Sequence, residues 1–223
     1  MNIYEKAAWC NRSKQVMRPG GLNLTKQLLT LAHLEKSARV LDLGCGLGSS
    51  TEQMRQLGYK TIGVDVSAKL IAQAKKNHPQ CDLRIASADN LPFKSAFFEA
   101  VLCECSLSVF ESLKALTEIK RVLCSGGRLL VSDLYKRRDV DLSYLESLSA
   151  HLYTKEQWHE SLQDQGFGNF VWRECSDCFK DFIMQALWDD DGLISCADYE
   201  QLKRAKLGYF LLIGEKITVG EKL

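Results

Sequence analysis

Between residues 39 and 133, short apolar runs alternate with stretches in which apolar residues recur every three or four positions. Arg39 to Leu43, Thr61-Ile62-Gly63-Val64-Asp65, Asp82 to Ala86, Phe97 to Cys105 and Arg128 to Asp133 are the runs, and they suit buried strands. The first helical pattern between them carries Met54 and Leu57 and closes at Gly58. The next is capped by Ser67, runs through Leu70, Ile71 and Ala74, and stops before Pro79. The last spans Leu113 to Leu123 and ends at Gly126-Gly127. Strict alternation of this kind predicts a doubly wound, parallel α/β sheet with right-handed crossovers. Ahead of it, Leu24, Leu28, Leu31 and Leu34 predict an amphipathic helix over 22–34, after a turn at Arg18-Pro19-Gly20-Gly21. Beyond 133 the pattern changes. Residues 136–149 are polar and irregular, and Thr154-Lys155-Glu156-Gln157 forms a capping box opening a helix that ends at Gly166. Phe167 to Arg173 and Leu207 to Gly214 are strand-like, with helical residues and an Asp189-Asp190-Asp191-Gly192 turn between them.

The first strand runs into Gly44-Cys45-Gly46-Leu47-Gly48. Alternate glycines let the chain turn sharply and remove the Cβ atoms that would hold a ligand off the backbone. Ser49, Ser50 and Thr51 follow as candidate helix caps. A turn of this kind at the carboxyl end of a strand is where open α/β sheets bind nucleotide-like ligands. Spacing narrows the ligand. A dinucleotide fingerprint, G-x-G-x-x-G, needs glycine at position 49 or 51, where Ser49 and Thr51 stand.

Composition removes several classes. At 223 residues, one domain with a sizeable core is expected. The net charge of +1 and the lack of a basic stripe give no support to a nucleic-acid partner. Met1 to Lys6 lacks the apolar core of a signal peptide and no apolar run approaches membrane-spanning length, so a cytoplasmic protein is expected, with no membrane partner. Nine cysteines are an odd number, and a reducing compartment disfavours disulfides. Cys81, Cys103 and Cys124 lie in apolar runs, where free cysteine packs as a small hydrophobe.

The pattern Asp42-x-Gly44-x-Gly46-x-Gly48 resembles the first motif of the class I S-adenosylmethionine (SAM) methyltransferases. Further segments carry the same resemblance: Asp65 ending the second strand, Ala88-Asp89-Asn90-Leu91-Pro92-Phe93 after the third, and Leu123-Cys124-Ser125-Gly126-Gly127-Arg128-Leu129 before the fifth. Gly208 to Gly214 is similar to the family's final, antiparallel strand. The likeness runs from about Leu22 to Lys216, and its flavour is that of small-molecule enzymes such as quinone-biosynthesis C-methyltransferases. It implies a Rossmann-like, mostly parallel seven-stranded sheet with the last strand antiparallel. It also implies one methyltransferase domain: lid and helix over 1–34, SAM-binding core over 39–133, acceptor-side cover over 134–155, and C-terminal helices and antiparallel strands over 156–223. The cofactor residues implied are Asp42, Gly44, Cys45, Gly46, Gly48, Asp65, Val66, Ala88, Asp89, Asn90 and Glu104. In the family, the acid at Asp65 takes the ribose hydroxyls, and the one at Asp89 faces the adenine amino group. Asp42 either touches the ligand or braces the turn. Ser125 stands where the family has proline, and Glu99 where its fourth strand usually opens with Asp.

Methyl transfer from a sulfonium is an in-line displacement that positioning alone accelerates strongly, and it needs a general base only for some acceptors. The acceptor is expected over the carboxyl ends of strands four and five. Glu104 is the candidate catalytic group; Tyr4, Arg18, Asp133, Tyr135, His151 and Tyr153 are candidate substrate residues. Arg18 pairs either with an acidic substrate group or with Glu104. Trp9 and Tyr4 either fold over the pocket or pack a terminal helix. Alternation on a strand puts Cys103 and Cys105 on one face and Glu104 on the other. Those cysteines either pack, or join Cys175-x-x-Cys178 as soft ligands for a metalloid. The leading expectation is therefore a SAM-dependent methyltransferase of a small acceptor, aromatic or quinone-like, yielding S-adenosylhomocysteine (SAH), from a monomer or homodimer without a metal. Thiolate-assisted metalloid methylation, and SAM binding without independent transfer, are the alternatives.

Overall fold

The computed structural model describes residues 18–110, 113–138, 151–188 and 196–217. Tyr4, Trp9, most of the expected cover segment and the Asp189–Gly192 turn lie outside them.

Seven strands form one sheet in the order β3-β2-β1-β4-β5-β7-β6. The strands are β1 (Arg39–Leu43), β2 (Lys60–Asp65), β3 (Asp82–Ile85), β4 (Phe98–Glu104), β5 (Leu123–Lys136), β6 (Phe167–Glu174) and β7 (Leu207–Lys216). The first five pair in parallel; β7 runs antiparallel to both β5 and β6. The helices are α1 (Gly21–Leu31), α2 (Ser49–Gln56), α3 (Ala68–Asn77), α4 (Leu113–Val122), α5 (Lys155–Asp164), α6 (Ser176–Trp188) and α7 (Cys196–Ala205). Strand order reverses at β1 and β4, the place where an open α/β sheet leaves a crevice at its carboxyl edge.

Alternation along the strands splits the core. Leu41, Leu43, Val101, Cys103, Leu129 and Val131 pack beneath the face that carries α4 and α5, with Ile119, Trp158 and Leu162. Val40, Ala100, Leu102 and Leu130 turn the other way, towards Leu24 and Leu28 of α1 and Met54 of α2. Fully buried aliphatic side chains of this size contribute about 1.5–3 kcal/mol each, so the helices are held by these faces more than by their own propensity.

Three local departures have physical causes. The fifth strand starts at Leu123, five residues before the expected Arg128, because Leu123 already pairs with Phe98. The register then jumps to Ala100 and Arg128, and residues 124–127 bulge out around Gly126, whose φ is +67°. The opening of α2 is not capped by a side chain: Gly48 sits at its N-cap in the left-handed region, and the Ser50 and Thr51 hydroxyls bond elsewhere. The expected alternation stops at Glu104, since Cys105 has φ +50°, so Cys103 and Cys105 pack against opposite clusters.

Candidate active site

The glycine turn is sewn to the neighbouring strand. The amides of Gly44 and Cys45 both donate to the carbonyl of Val64, at 2.8 and 3.0 Å. Gly44, Gly46 and Gly48 all take positive φ, +78°, +51° and +79°. A Cβ on Gly44 would fall 2.6 Å from that of Ser106, whose hydroxyl donates to Leu43 O. At Gly46 the same atom would meet nothing within 4 Å, so the backbone there faces open space. The amide of Gly46 donates to Asp65 Oδ2 (2.9 Å), and that of Ser67 to Asp65 Oδ1 (2.8 Å). The acid at the end of β2 thus holds both the glycine turn and the start of α3. Val66, 70% exposed, lies beside it at the same edge of the sheet. Ala88 is half-buried, and Asp89 and Asn90 are exposed in a turn closed by the Ser87 carbonyl and hydroxyl.

Beneath the turn two acids are enclosed. Asp42 is 3% exposed and accepts the Thr51 hydroxyl at 2.6 Å; burial pushes its carboxyl up to about 7, and the nearby negative charges of Glu104 and Asp65 add to the rise. Glu104 is bound from three sides. Arg18 Nη2 lies 2.8 Å from its Oε2, Ser50 Oγ donates to the same oxygen at 2.6 Å, and Thr25 Oγ1 donates to Oε1 at 3.0 Å. The ion pair is enclosed, with side chains 11% and 4% exposed for Arg18 and Glu104. Arg18 Nε is buried and has no hydrogen-bond partner among the described residues. One network therefore ties the turn before α1, α1 itself, α2 and the end of β4 together. Glu104 meets these groups where the sequence places an acceptor.

The residues expected around the acceptor separate into two groups. Asp133 is 1% exposed and accepts the Ser108 amide (2.9 Å), the Ser108 hydroxyl (2.8 Å) and the Leu134 amide (2.8 Å). It pins the short 3-10 turn Leu107–Val109, and burial raises its carboxyl to about 6. Tyr135 is packed edge-on against Trp172 and Phe210 within the α4–α5 face. His151 and Tyr153 do reach the carboxyl edge. The His151 amide donates to Ser108 O at 2.7 Å and its side chain is exposed, while Tyr153 O accepts from Lys136 N at 2.8 Å. Tyr153 also stands edge-on to Trp158. Glu99, at the unusual position of β4, bonds the Arg39 amide and guanidinium at the opposite edge of the sheet.

Ser50 and Thr51, candidate helix caps by sequence, bond Glu104 and Asp42 instead, and the local pattern does not mark Thr25 or Ser108 as partners of an acid. The sequence carries only one signal: Thr25 stands between Leu24 and Leu28 of the predicted helix, and in the structure it is fully buried with its hydroxyl on Glu104.

Among the described residues, Cys103 and Cys105 do not join Cys175 and Cys178 in one thiolate cluster: Cys103 packs against the α4–α5 face and the other three against the opposite face. Burial raises every described thiol: Cys81 and Cys105 to about 12, and Cys45 and Cys103 well beyond the usual range. No group of three or more His, Cys, Asp or Glu suited to a metal ion occurs among the described residues. No helix among them is long and apolar enough to cross a membrane.

Residues 41–131 match the family model described as a methyltransferase domain. The chain is 30% identical over 158 residues to an uncharacterized methyltransferase of Bacillus subtilis, YodH, covering 67% of this chain and 68% of that one. It is 35% identical over 96 residues to a demethylmenaquinone methyltransferase of Paenarthrobacter aurescens, a match that spans 43% of this chain and 38% of that enzyme. Among solved structures, the [4+2]-cyclase SpnF superposes with a TM-score of 0.74 at 25% identity, over 88% of this chain and 80% of that one. Sheet order and glycine turn define a Rossmann-like methyltransferase fold. The chain belongs to the methyltransferase family, as a class I, SAM-dependent enzyme.

Proposed function

We propose that the chain methylates a small aromatic, quinone-like acceptor held over the carboxyl ends of β4 and β5, next to SAM lying across the glycine turn. The observation that carries the cofactor's placement is Gly46: its backbone faces open space, and its amide is fixed by the acid that ends β2. These residues fit the group. The open space at Gly46 lets the nucleoside approach a turn whose shape Gly44, Cys45 and Gly48 complete, Asp65 takes the ribose hydroxyls, Val66 lies along the adenine, and Ala88, Asp89 and Asn90 bound its edge. Asp42 and Glu104 hold the turn and the helices that meet there. The buried Nε of Arg18 supports a contact with an acidic group of the ligand, since an unpartnered guanidinium N–H in such a place costs about 1–3 kcal/mol. When bound, SAM supplies a methyl group on a positively charged sulfur.

The protein's own part is positioning and exclusion of water. His151 and Tyr153 approach from the cover, and the lead-in, with Tyr4 and Trp9, is proposed to close over the pocket. The quinone-like acceptor draws its support from the sequence resemblance and from the demethylmenaquinone methyltransferase relative, whose matched part is less than half of that enzyme. Cys103 and Cys105 pack on opposite faces, and no group suited to a metal ion occurs among the described residues, which disfavours a metalloid acceptor held by thiolates beside Glu104.

The test is calorimetry with SAH and NAD on the purified protein, followed by native mass spectrometry for a co-purified acceptor. Binding of SAH and not NAD, with an aromatic co-purified compound that gains a methyl group on addition of SAM, is the expected result. NAD binding without SAH binding would remove the cofactor reading. Transfer only to a non-aromatic compound would remove the acceptor reading alone.

A further inference from the structure

The Cys175-Ser176-Asp177-Cys178 segment takes no part in the site above, yet its geometry is specific. Cys175 immediately precedes α6 and Cys178 lies in its first turn. The Cys178 amide donates to the Cys175 carbonyl at 3.0 Å, the hydrogen bond of a tight turn. Such a turn holds the two Cα atoms within about 7 Å, close to the span of about 4.4–6.8 Å that a disulfide bridges. Residues three apart at a helix start share one side of it, and both side chains, like that of Phe179, pack against the same apolar cluster, with Cys175 Sγ 3.9 Å from Arg173 O. Both remain partly accessible to solvent.

The backbone that carries them is fixed by other groups. The Cys175 amide donates to Tyr209 O at 2.7 Å. The Ser176 hydroxyl accepts the Tyr209 amide at 3.1 Å and donates to Glu174 Oε1 at 2.8 Å. Joining the sulfurs therefore calls for rotation about side-chain bonds and leaves β7 in place. The remaining described cysteines are engaged elsewhere, with Cys45 packed against the cluster of Ile71, Ala74 and Leu83. Cys103 is fully buried on the α4–α5 face, and Cys81 donates to Glu52. Cys105 is bonded to the Tyr209 hydroxyl, and Cys124 to Ala96 O.

We propose that Cys175 and Cys178 form a reversible thiol–disulfide site at the start of α6, oxidised by a small disulfide or a hydroperoxide. With a disulfide oxidant, one thiolate attacks its S–S bond and releases one thiol. The second thiolate then displaces the other, so two protein S–H bonds are exchanged for one S–S bond and two small thiols. With a hydroperoxide, one thiolate attacks oxygen, the O–O bond breaks and an alcohol leaves; the second thiol then displaces water from the sulfenic acid so formed, closing the S–S bond. Burial, with the neighbouring Cys178 adding to it, raises the Cys175 thiol; burial and Asp181 raise that of Cys178. Thiols of this kind are slow leaving groups, so the oxidised form persists until a strong dithiol reduces it.

Trypsin places both residues in one peptide, residues 174–180, between Arg173 and Lys180. Full-length protein is incubated with oxidised glutathione, alkylated without reduction and mapped by mass spectrometry. The expected peptide lacks two hydrogens, is restored by dithiothreitol, and is absent in Cys175→Ala and Cys178→Ala, each compared as folded protein by circular dichroism. In those variants the surviving cysteine carries glutathione instead. An independent probe, phenylarsine oxide, should bridge both thiols of the unoxidised protein with loss of one water. The proposal is overturned if the wild-type peptide carries two glutathiones, stays unmodified while other cysteines react, or is cross-linked to another peptide.

Discussion

Replacing Asp42 by Asn should stabilise the ligand-free protein more as the pH rises. Asp42 lies at 3% exposure beneath the glycine turn, with one hydroxyl donor and the charge of Glu104 close by. Its carboxyl moves from 3.8 to about 7, chiefly through burial, which corresponds to roughly 4 kcal/mol against the ionised form. The sign follows from linkage: the folded value is raised, so stability is full below the unfolded value and is lost as pH climbs to the folded one. Between about pH 5 and about pH 8 the wild type should therefore lose about 2–3 kcal/mol through this group alone. Asn keeps the shape and the acceptor for Thr51, and any fixed cost of its amide is the same at both pH values. Urea unfolding of both proteins at the two pH values gives the difference of differences, in which titrating groups remote from Asp42 cancel. If the gap between variant and wild type is equal at both, Asp42 is not a buried acid of raised value and the electrostatic account of the turn is wrong.

Other expected outcomes are as direct. Asp65→Ala should weaken SAH about ten- to hundredfold in calorimetry, from two charge-assisted hydrogen bonds worth about 1.5–3 kcal/mol each, part of it recovered by water; an unchanged dissociation constant places the ribose elsewhere. Gly46→Val should abolish SAH binding at a folding cost of about 1–3 kcal/mol, since only the positive φ resists it. Gly63→Val, whose Cβ would lie 2.6 Å from Thr51 Oγ1, should instead lower the melting temperature strongly, and equal effects on folding would contradict the open space at Gly46. Glu104→Ala should cost about 3–5 kcal/mol in urea unfolding by leaving Arg18 buried without its partner, while the apolar pair Arg18→Met with Glu104→Leu recovers most of it. A loss below about 1 kcal/mol for the single variant would mean that the enclosed ion pair does not form.

The sequence by itself determined the alternation of strands and helices, the glycine turn, and the acids at the ends of β1, β2 and β3. Each is written in local periodicity or spacing: apolar runs of strand length, helical repeats closed by Gly58 and Pro79, and glycines two residues apart. The pairing of Arg18 with Glu104 was one of two alternatives the sequence offered, whereas the hydroxyl partners were beyond its reach, because they depend on residues far apart in the chain. Thr25 and Glu104 are 79 positions apart, and Ser108 and Asp133 are 25. Only folding of α1 over the end of β4 turns Glu104 from an exposed strand end into one half of an enclosed ion pair with Arg18. Packing likewise places Tyr135 in the aromatic core, since the antiparallel β7 brings Phe210 against it from 75 positions away in the chain. The left-handed Cys105 ends the alternation that the run 97–105 suggests, and one residue of positive φ sends two neighbouring cysteines to opposite faces. Local patterning fixes which elements form, whereas burial fixes which of their polar groups remain open to a ligand.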